Sequence, residues 1–372
     1  MPAPVLYIEN QVQLRQAIDA CLEVSVVTID TEFARYNTYY PIVGLIQVYD
    51  GRTCYLIDPL IVEDLTPLVD LLEAMSVRKV FHACSEDMEV FQYCLNTLPT
   101  PVFDSQIAAA ALGIGFSISY QNLVSHYLSI TVPKEETRSD WLQRPLTDGQ
   151  VKYAALDVIY LLQVYEKQRD QLQQMQREEW VIEDSALLSV DLPTMIDPDS
   201  AYKKLKGLAR LNRKQLSVLK ALCAWRETRA RETNVPRNRI VDQRSLMSIA
   251  GEDILEKNDL QTMAEMSPRQ VRKFGADLLF LAEEAKRLPE DQYPPLVPRN
   301  GTRIDNKKLS LLRGIVQSRA EILTVNPELL TKRRHLEALL RSSDGNGNYE
   351  LPEELSGWRK AAIGNDLMEA LR

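Results

Sequence analysis

Cysteine and histidine are scarce in this chain: five Cys and three His among 372 residues. The cysteines, Cys21, Cys54, Cys84, Cys94 and Cys223, are odd in number and form no C-x-x-C pair, which argues against a disulfide framework or a zinc ribbon. A reducing, intracellular setting is expected. Long apolar runs are missing as well. None reaches the roughly 18 residues that span a bilayer, and the opening MPAPVLYIENQVQ lacks the basic flank and apolar core of an export signal. The expectation is a cytoplasmic protein with no membrane partner. Positive charge is also in deficit, with a formal net charge of −8. Taken alone, that disfavours a polyanionic partner.

The deficit is unevenly spread. Residues 1–200 hold 12 Lys and Arg against 29 Asp and Glu, whereas residues 201–250 hold 13 against 3. A basic block joined to an acidic one suits a protein that grips phosphates in one place and concentrates cations in another.

Three runs near the start, VSVVTIDTE (24–32), VGLIQVYD (43–50) and TCYLIDP (53–59), read as strands, the last two as a hairpin across Gly51-Arg52. RKVFHA (78–83) reads as another, followed by a helix over 86–95 with Ser85 as N-cap. Strands alternating with helices predict a mixed α/β layer. A long helical stretch is expected from Leu146 to Trp180, and no strand beyond about residue 205. The C-terminal region carries a weak internal repeat: LSVLKALCAWR (216–226) parallels LSLLRGIVQSR (309–319), and Asn234-Val235-Pro236 parallels Val325-Asn326-Pro327. Two helical modules separated by a proline-rich linker fit this pattern.

Chemistry is concentrated in VVTIDTEFAR (26–35). In a strand, residues two apart face the same side, so Asp30 and Glu32 project together while Thr31 points away. Two carboxylates side by side repel unless a cation or proton compensates, and hard divalent ions accept such oxygen ligands. FHACSEDMEVF (81–91) places Asp87 on the first turn of a helix, and VKYAALDVIYLL (151–162) sets Tyr153 and Asp157 four apart on one helix face.

That order of residues resembles the DEDDy 3′→5′ exonucleases, and within them the ribonuclease D family. DTEFARYNTYYPIVGLIQV, FHACSEDMEVF, TRSDWLQRPLT and YAALDVIYLL are similar to that family's blocks, and 210–290 resembles an HRDC domain. The implied architecture is a ribonuclease H-like mixed-sheet α/β exonuclease domain over 1–190 and a linker over 191–209. An all-α HRDC domain over 210–290, a proline-rich linker over 291–302 and a second HRDC-like domain over 303–372 complete it.

Asp30, Glu32, Asp87 and Asp157 together suit two divalent ions, Mg²⁺ or Mn²⁺, of the kind that serve phosphoryl transfer. The resemblance implies that Asp30 bridges both ions, that Glu32 and Asp157 serve the nucleophile side and Asp87 the leaving-group side, and that Tyr153 orients the attacking water. Phe33 and Tyr36 are candidates to stack a terminal base. Arg138 and Arg144 beside Trp141 are candidates for a phosphate clamp. Lys203, Lys204, Lys206, Arg210, Arg213 and Lys214, then Arg226, Arg229, Arg231, Arg237 and Arg239, form the expected RNA grip. His82 is expected to be a packed histidine and no metal ligand.

The resemblance implies trimming of tRNA precursors and other small RNAs with single-stranded 3′ ends, releasing 5′-mononucleotides, with no obligate protein partner. Residue spacing alone reaches only a two-metal phosphodiesterase with a nucleic-acid grip. It leaves a DNA 3′→5′ exonuclease and a non-catalytic RNA-binding protein as alternatives.

Overall fold

The protein is described by a computed structural model covering residues 3–132, 139–189, 192, 196–252, 254, 256–297, 304–344 and 347–372. It divides into two compact units. The first comprises residues 1–34, 42–192 and 304–372, and the second residues 35–41 and 193–303.

The first unit is built on a six-stranded sheet. Its strands are β1 (Val5–Ile8), β2 (Val26–Ala34), β3 (Ile42–Tyr49), β4 (Cys54–Ile57), β5 (Arg78–Phe81) and β6 (Val102–Asp104), in the order β1-β4-β3-β2-β5-β6. β2–β3 and β3–β4 are antiparallel and the other pairs parallel, so the expected hairpin across Gly51-Arg52 is present in a mixed sheet. β1 and β6 are too short, at 4 and 3 residues, to leave a periodic signature in the sequence.

Alternation along β2 separates two faces. Val27 and Ile29 enter a core with Leu14 and Ile18 of α1 (Gln11–Leu22), Leu68 and Leu72 of α2 (Thr66–Glu73) and Met88 and Phe91 of α3 (Ser85–Leu95). On the opposite face lie α4 (Ser105–Ala111), α5 (Tyr120–Leu128) and α6 (Asp148–Gln174). α6 lays Ala154, Ala155 and Val158 on Leu45, Tyr49, Cys54 and Leu56. Its start is fixed by a capping box between Thr147 and Gln150.

The helix expected to run unbroken to Trp180 ends at Gln174, because Gln176 takes a left-handed φ of 54° and the buried Arg177 guanidinium donates to the Ala111 carbonyl at 2.7 Å. A separate helix, α7 (Glu178–Leu187), follows. Ser85 opens α3 without capping it: Cys84 occupies the cap position, and its N–H donates to Asp104 Oδ2 at 2.9 Å.

The second unit holds α8 (Arg213–Thr233), α9 (Arg237–Ile240), α10 (Gln243–Gly251), α11 (Lys257–Thr262) and α12 (Pro268–Arg287) around Leu216, Leu219, Leu222, Leu246, Phe274 and Leu278. Residues 35–41 belong to it. Tyr39 is buried there, its hydroxyl donating to Glu227, and Glu227 also receives Arg231 at 2.8 Å and Arg237 at 2.5 Å. The Arg237 guanidinium lies 4.6 Å from the Tyr39 ring centre.

α13 (Asn306–Leu323), α14 (Pro327–Leu330), α15 (Arg333–Arg341) and α16 (Asn365–Glu369) return to the first unit and share a core with α4, α6 and α7. Trp358 stacks on Trp180 at 4.2 Å and 13°, and Arg359 pairs with Asp184 through two bonds of 2.6 and 2.7 Å. The sequence repeat is structural. α8 and α13 both end on a left-handed residue, Asn234 and Thr324, and each leads through a proline into a four-residue helix and then a nine-residue one. No strand occurs beyond residue 205 among the described residues.

Candidate active site

Asp30 and Glu32 stand on the α6 face of β2, and Asp157 comes from α6 itself. One carboxylate oxygen from each lies within 4.8 Å of the others. Asp87 arrives by a different route. β5 runs parallel to β2, so α3 starts at the edge where β2 delivers its acids. Ala83, at a left-handed φ of 57°, makes the sharp turn between β5 and α3. Asp87 then accepts a 2.5 Å hydrogen bond from Thr31 Oγ1, the residue between the two strand acids. Thr31 points away from Asp30 and Glu32, as alternation requires, and thereby ties the fourth acid to the same strand.

Four acids lie in a largely buried place, and burial opposes the ionisation of each. Burial, followed by the fields of Asp87, Asp157 and Glu32, holds Asp30 well above the usual carboxylate range. Glu32 is raised by burial, then by Asp157 and Asp87. Asp87 is pushed up to about 7 by burial, against the Thr31 hydrogen bond. Asp157 is likewise pushed up to about 7 by burial, against a hydrogen bond from Tyr153. Asp157 Oδ1 is buried and accepts no hydrogen bond among the described residues. A buried carboxylate oxygen without a donor, in a set made only of oxygens, fits a hard divalent cation.

Two residues that motif reading passed over hold α6 in place beside the site. The Tyr120 hydroxyl lies 3.0 Å from the Leu156 carbonyl and 2.5 Å from that of Asp157. Thr28, on the same strand face as Asp30, donates to the Val158 carbonyl at 2.7 Å. Neither lies in a spacing pattern with the acids. His82 sits just past the end of β5, its Nδ1 2.8 Å from Ser105 Oγ and its ring edge-on to Tyr120 at 5.6 Å. Burial lowers its pKa, and it takes no place among the clustered carboxylates.

The substrate-binding candidates fare differently. Trp141 is 4% exposed and packs in the core under α6, its ring centre 6.1 Å from that of Tyr153, so it anchors its loop and does not present a surface to substrate. Arg144 is no phosphate clamp in this arrangement. Its guanidinium donates to Asp58 at 2.5 and 2.7 Å and to the carbonyls of Trp141, Gln143 and Gly44 at 3.0, 2.7 and 2.6 Å, which uses every N–H it has. Asp58 is fully buried, and burial raises its pKa. Arg144 and the Tyr7 hydroxyl, which donates to it at 2.6 Å, more than offset that and hold the group low.

The segment sits on a β-bulge: between Glu32 and Phe33 the register skips Gly44, where a Cβ would lie 2.4 Å from the Trp141 carbonyl oxygen. Phe33 packs against the α1–α3 core and is not a free stacking ring. Arg138 lies outside the described residues.

In the second unit Tyr36 is 72% exposed, and Lys203, Lys204 and Lys206 are exposed. Arg213 donates to the carbonyls of Glu290 and Tyr293 at 2.9 Å and of Pro294 at 3.3 Å. Arg226 is buried and bonded to the Val241 carbonyl, and Arg231 and Arg237 are held by Glu227. Much of the expected basic grip is therefore internal bracing.

The site's geometry has counterparts in known proteins. A family profile described as 3′-5′ exonuclease matches residues 5–173, and the HRDC domain profile matches residues 215–281. The ribonuclease D of Pseudomonas paraeruginosa is 47% identical over 345 residues, covering 93% of this chain and 92% of that one. This chain belongs to the ribonuclease D family. The ribonuclease D of Escherichia coli strain K12 is 34% identical, covering 93% and 92%. The crystal structure of Escherichia coli RNase D, described as an exoribonuclease involved in structured RNA processing, matches with a TM-score of 0.92 and 32% identity over 100% and 99% of the two chains. The catalytic core of Trypanosoma brucei RRP6, at a TM-score of 0.59 and 24% identity, shares the fold.

The protein is thus a 3′→5′ exoribonuclease of the ribonuclease D type, a metal-dependent nuclease acting on RNA. No described helix is long and apolar enough to cross a membrane.

Proposed function

We propose that the site uses two divalent ions, Mg²⁺ or Mn²⁺, held by Asp30, Glu32, Asp87 and Asp157, to remove 5′-mononucleotides one at a time. The proposed substrates are tRNA precursors and other small structured RNAs with single-stranded 3′ ends, met in the cytoplasm. The reading is supported above all by Asp30. Its ionisation is opposed by burial and then by three neighbouring carboxylates, a cost that bound cations would offset. When bound, such ions supply an activated water and neutralise charge on the scissile phosphate.

The chain's own groups divide the remaining work. Glu32 and Asp157 would serve the nucleophile side and Asp87 the leaving-group side, with Asp30 shared between them. Tyr153, bonded to Asp157, would orient the attacking water through its phenol. A phenol with a reference pKa near 10 suits positioning better than proton abstraction. The exonuclease domain (1–190) would supply the chemistry, and Lys203, Lys204 and Lys206, with Arg210, Lys214 and Arg239, would hold RNA phosphates beside the HRDC module (210–290). Residues 303–372 would form a second, HRDC-like module.

The test uses a 5′-labelled tRNA precursor with a single-stranded 3′ extension and a matched DNA, each with Mg²⁺, Mn²⁺ or EDTA. A metal-dependent ladder shortening from the 3′ end of RNA, abolished in Asp30→Asn with RNA binding in EDTA retained, is the expected result. Near-normal cleavage by Asp30→Asn would overturn the site assignment, and preference for the DNA would replace the substrate.

A further inference from the structure

Gln47 is fully buried, and among the described residues neither its amide nitrogen nor its amide oxygen has a hydrogen-bond partner. Buried primary amides are rarely left so, because both atoms are stripped of water with nothing in return. Its position makes this informative. Across the β2–β3 ladder Gln47 is the residue directly opposite Asp30, and across β3–β4 it faces Leu56. Residues opposed in this way share a sheet face, with Cβ atoms about 5 Å apart. The same face carries Leu45 and Tyr49 along β3 and is covered by Ala154, Ala155 and Val158 of α6.

Gln47 is therefore the one amide on that face of β3, between Leu45 and Tyr49, in apolar surroundings that a leucine or methionine of similar volume would suit. On β2 the polar group directly opposite is Asp30, and the two diagonal ones are Thr28, whose hydroxyl is already given to the Val158 carbonyl, and Glu32, one register step farther away than Asp30. A glutamine side chain extends far enough from its Cβ to span the distance to a carboxylate on the neighbouring strand.

We propose that Gln47 is the positioning residue of Asp30: when Asp30 holds a divalent cation, the Gln47 amide donates to one carboxylate oxygen and aims the other at the ion. The amide reaches no metal or substrate. It acts through Asp30, as hydrogen-bond donors behind metal ligands generally do. The inference rests on the metal-site reading of the carboxylates given above.

The test uses the full chain with Gln47→Leu and Gln47→Met, which remove the amide at similar volume, and Asp30→Asn as control. Melting in EDTA, Mn²⁺ binding without RNA followed by electron paramagnetic resonance, and kcat and KM on a single-stranded 3′ extension are measured. Expected are melting in EDTA at or above the wild-type temperature, Mn²⁺ affinity lower by about tenfold or more, and a fall in kcat with KM little changed. Wild-type Mn²⁺ affinity and kcat in both variants would overturn the proposal, as would lower melting in EDTA or failure to fold in both, since either makes Gln47 a packing residue. Asp30→Asn separates the two readings. If it too binds Mn²⁺ like wild type, the metal site itself is wrong, whereas if it loses Mn²⁺ while the Gln47 variants do not, only the role of Gln47 falls.

Discussion

The Tyr120 hydroxyl donates into the backbone of α6 at Asp157, 2.5 Å from that residue's own carbonyl oxygen. An acid of the carboxylate cluster is thus located by a phenol from a different helix. Replacing Tyr120 with Phe leaves the ring's packing against His82 and removes the bond. The expected cost is about 1 kcal/mol of stability and a roughly tenfold fall in kcat. Unchanged kcat at saturating metal would show that α6 holds Asp157 without this help.

Proton linkage gives a second expectation. In the metal-free protein Asp87 and Asp157 are pushed up to about 7, whereas in the unfolded chain a carboxylate ionises near 4, a reference value of about 3.9 for Asp. Between those limits the folded state binds more protons than the unfolded one, so stability is full below about pH 4 and is lost as pH rises through about 7. Melting followed in EDTA should fall by at least about 3 °C from pH 5.5 to pH 8. Saturating Mg²⁺ at pH 8 should reverse it. A metal-free melting temperature that rises over this interval would contradict the burial of these two acids in protonated form.

Arg144 offers a test of a correction. As a brace to the buried Asp58, its replacement by Ala leaves an uncompensated buried charge, at a cost of about 3–5 kcal/mol. The salt dependence of RNA binding in EDTA should be unaffected. A flattened salt dependence at unchanged melting temperature would restore the phosphate clamp.

Exposed lysines behave in the opposite way. Replacing Lys203, Lys204 and Lys206 together with Ala should leave melting nearly unchanged. Every lysine–phosphate pairing removed in this way should shrink the slope of log affinity against log salt by about 0.7 on single-stranded RNA. An unchanged slope would exclude this patch from the RNA path.

What the sequence reveals depends on whether an interaction is local. Asp30 with Glu32 and Tyr153 with Asp157 are legible because strand and helix periods fix their faces within a few residues. Asp87 is legible as an acid on the first turn of a helix, but its tether to Thr31 is not, since the two are brought together only by the parallel pairing of β2 with β5. Arg144 misleads for the same reason. Its charge is visible in the sequence, while the carboxylate that consumes it lies 86 residues away. Tyr39 and Glu227, 188 residues apart, likewise turn Arg231 and Arg237 from expected RNA ligands into bracing. Tyr120 carries no charge and no motif, so nothing local marks it.

The placement of residues 35–41 has a consequence for how such a chain can be cut and recombined. The polypeptide passes between the two units after Ala34, Pro41, Leu192 and Arg303, so neither unit is a continuous segment. A fragment confined to 210–290 would carry Glu227, Arg231 and Arg237 without the tyrosine that completes their cluster. Exchange of the helical module between relatives at a single junction would separate Tyr39 from its partners. A working chimera therefore requires the seven residues after Ala34 to travel with the module, although they directly follow the strand that bears Asp30 and Glu32.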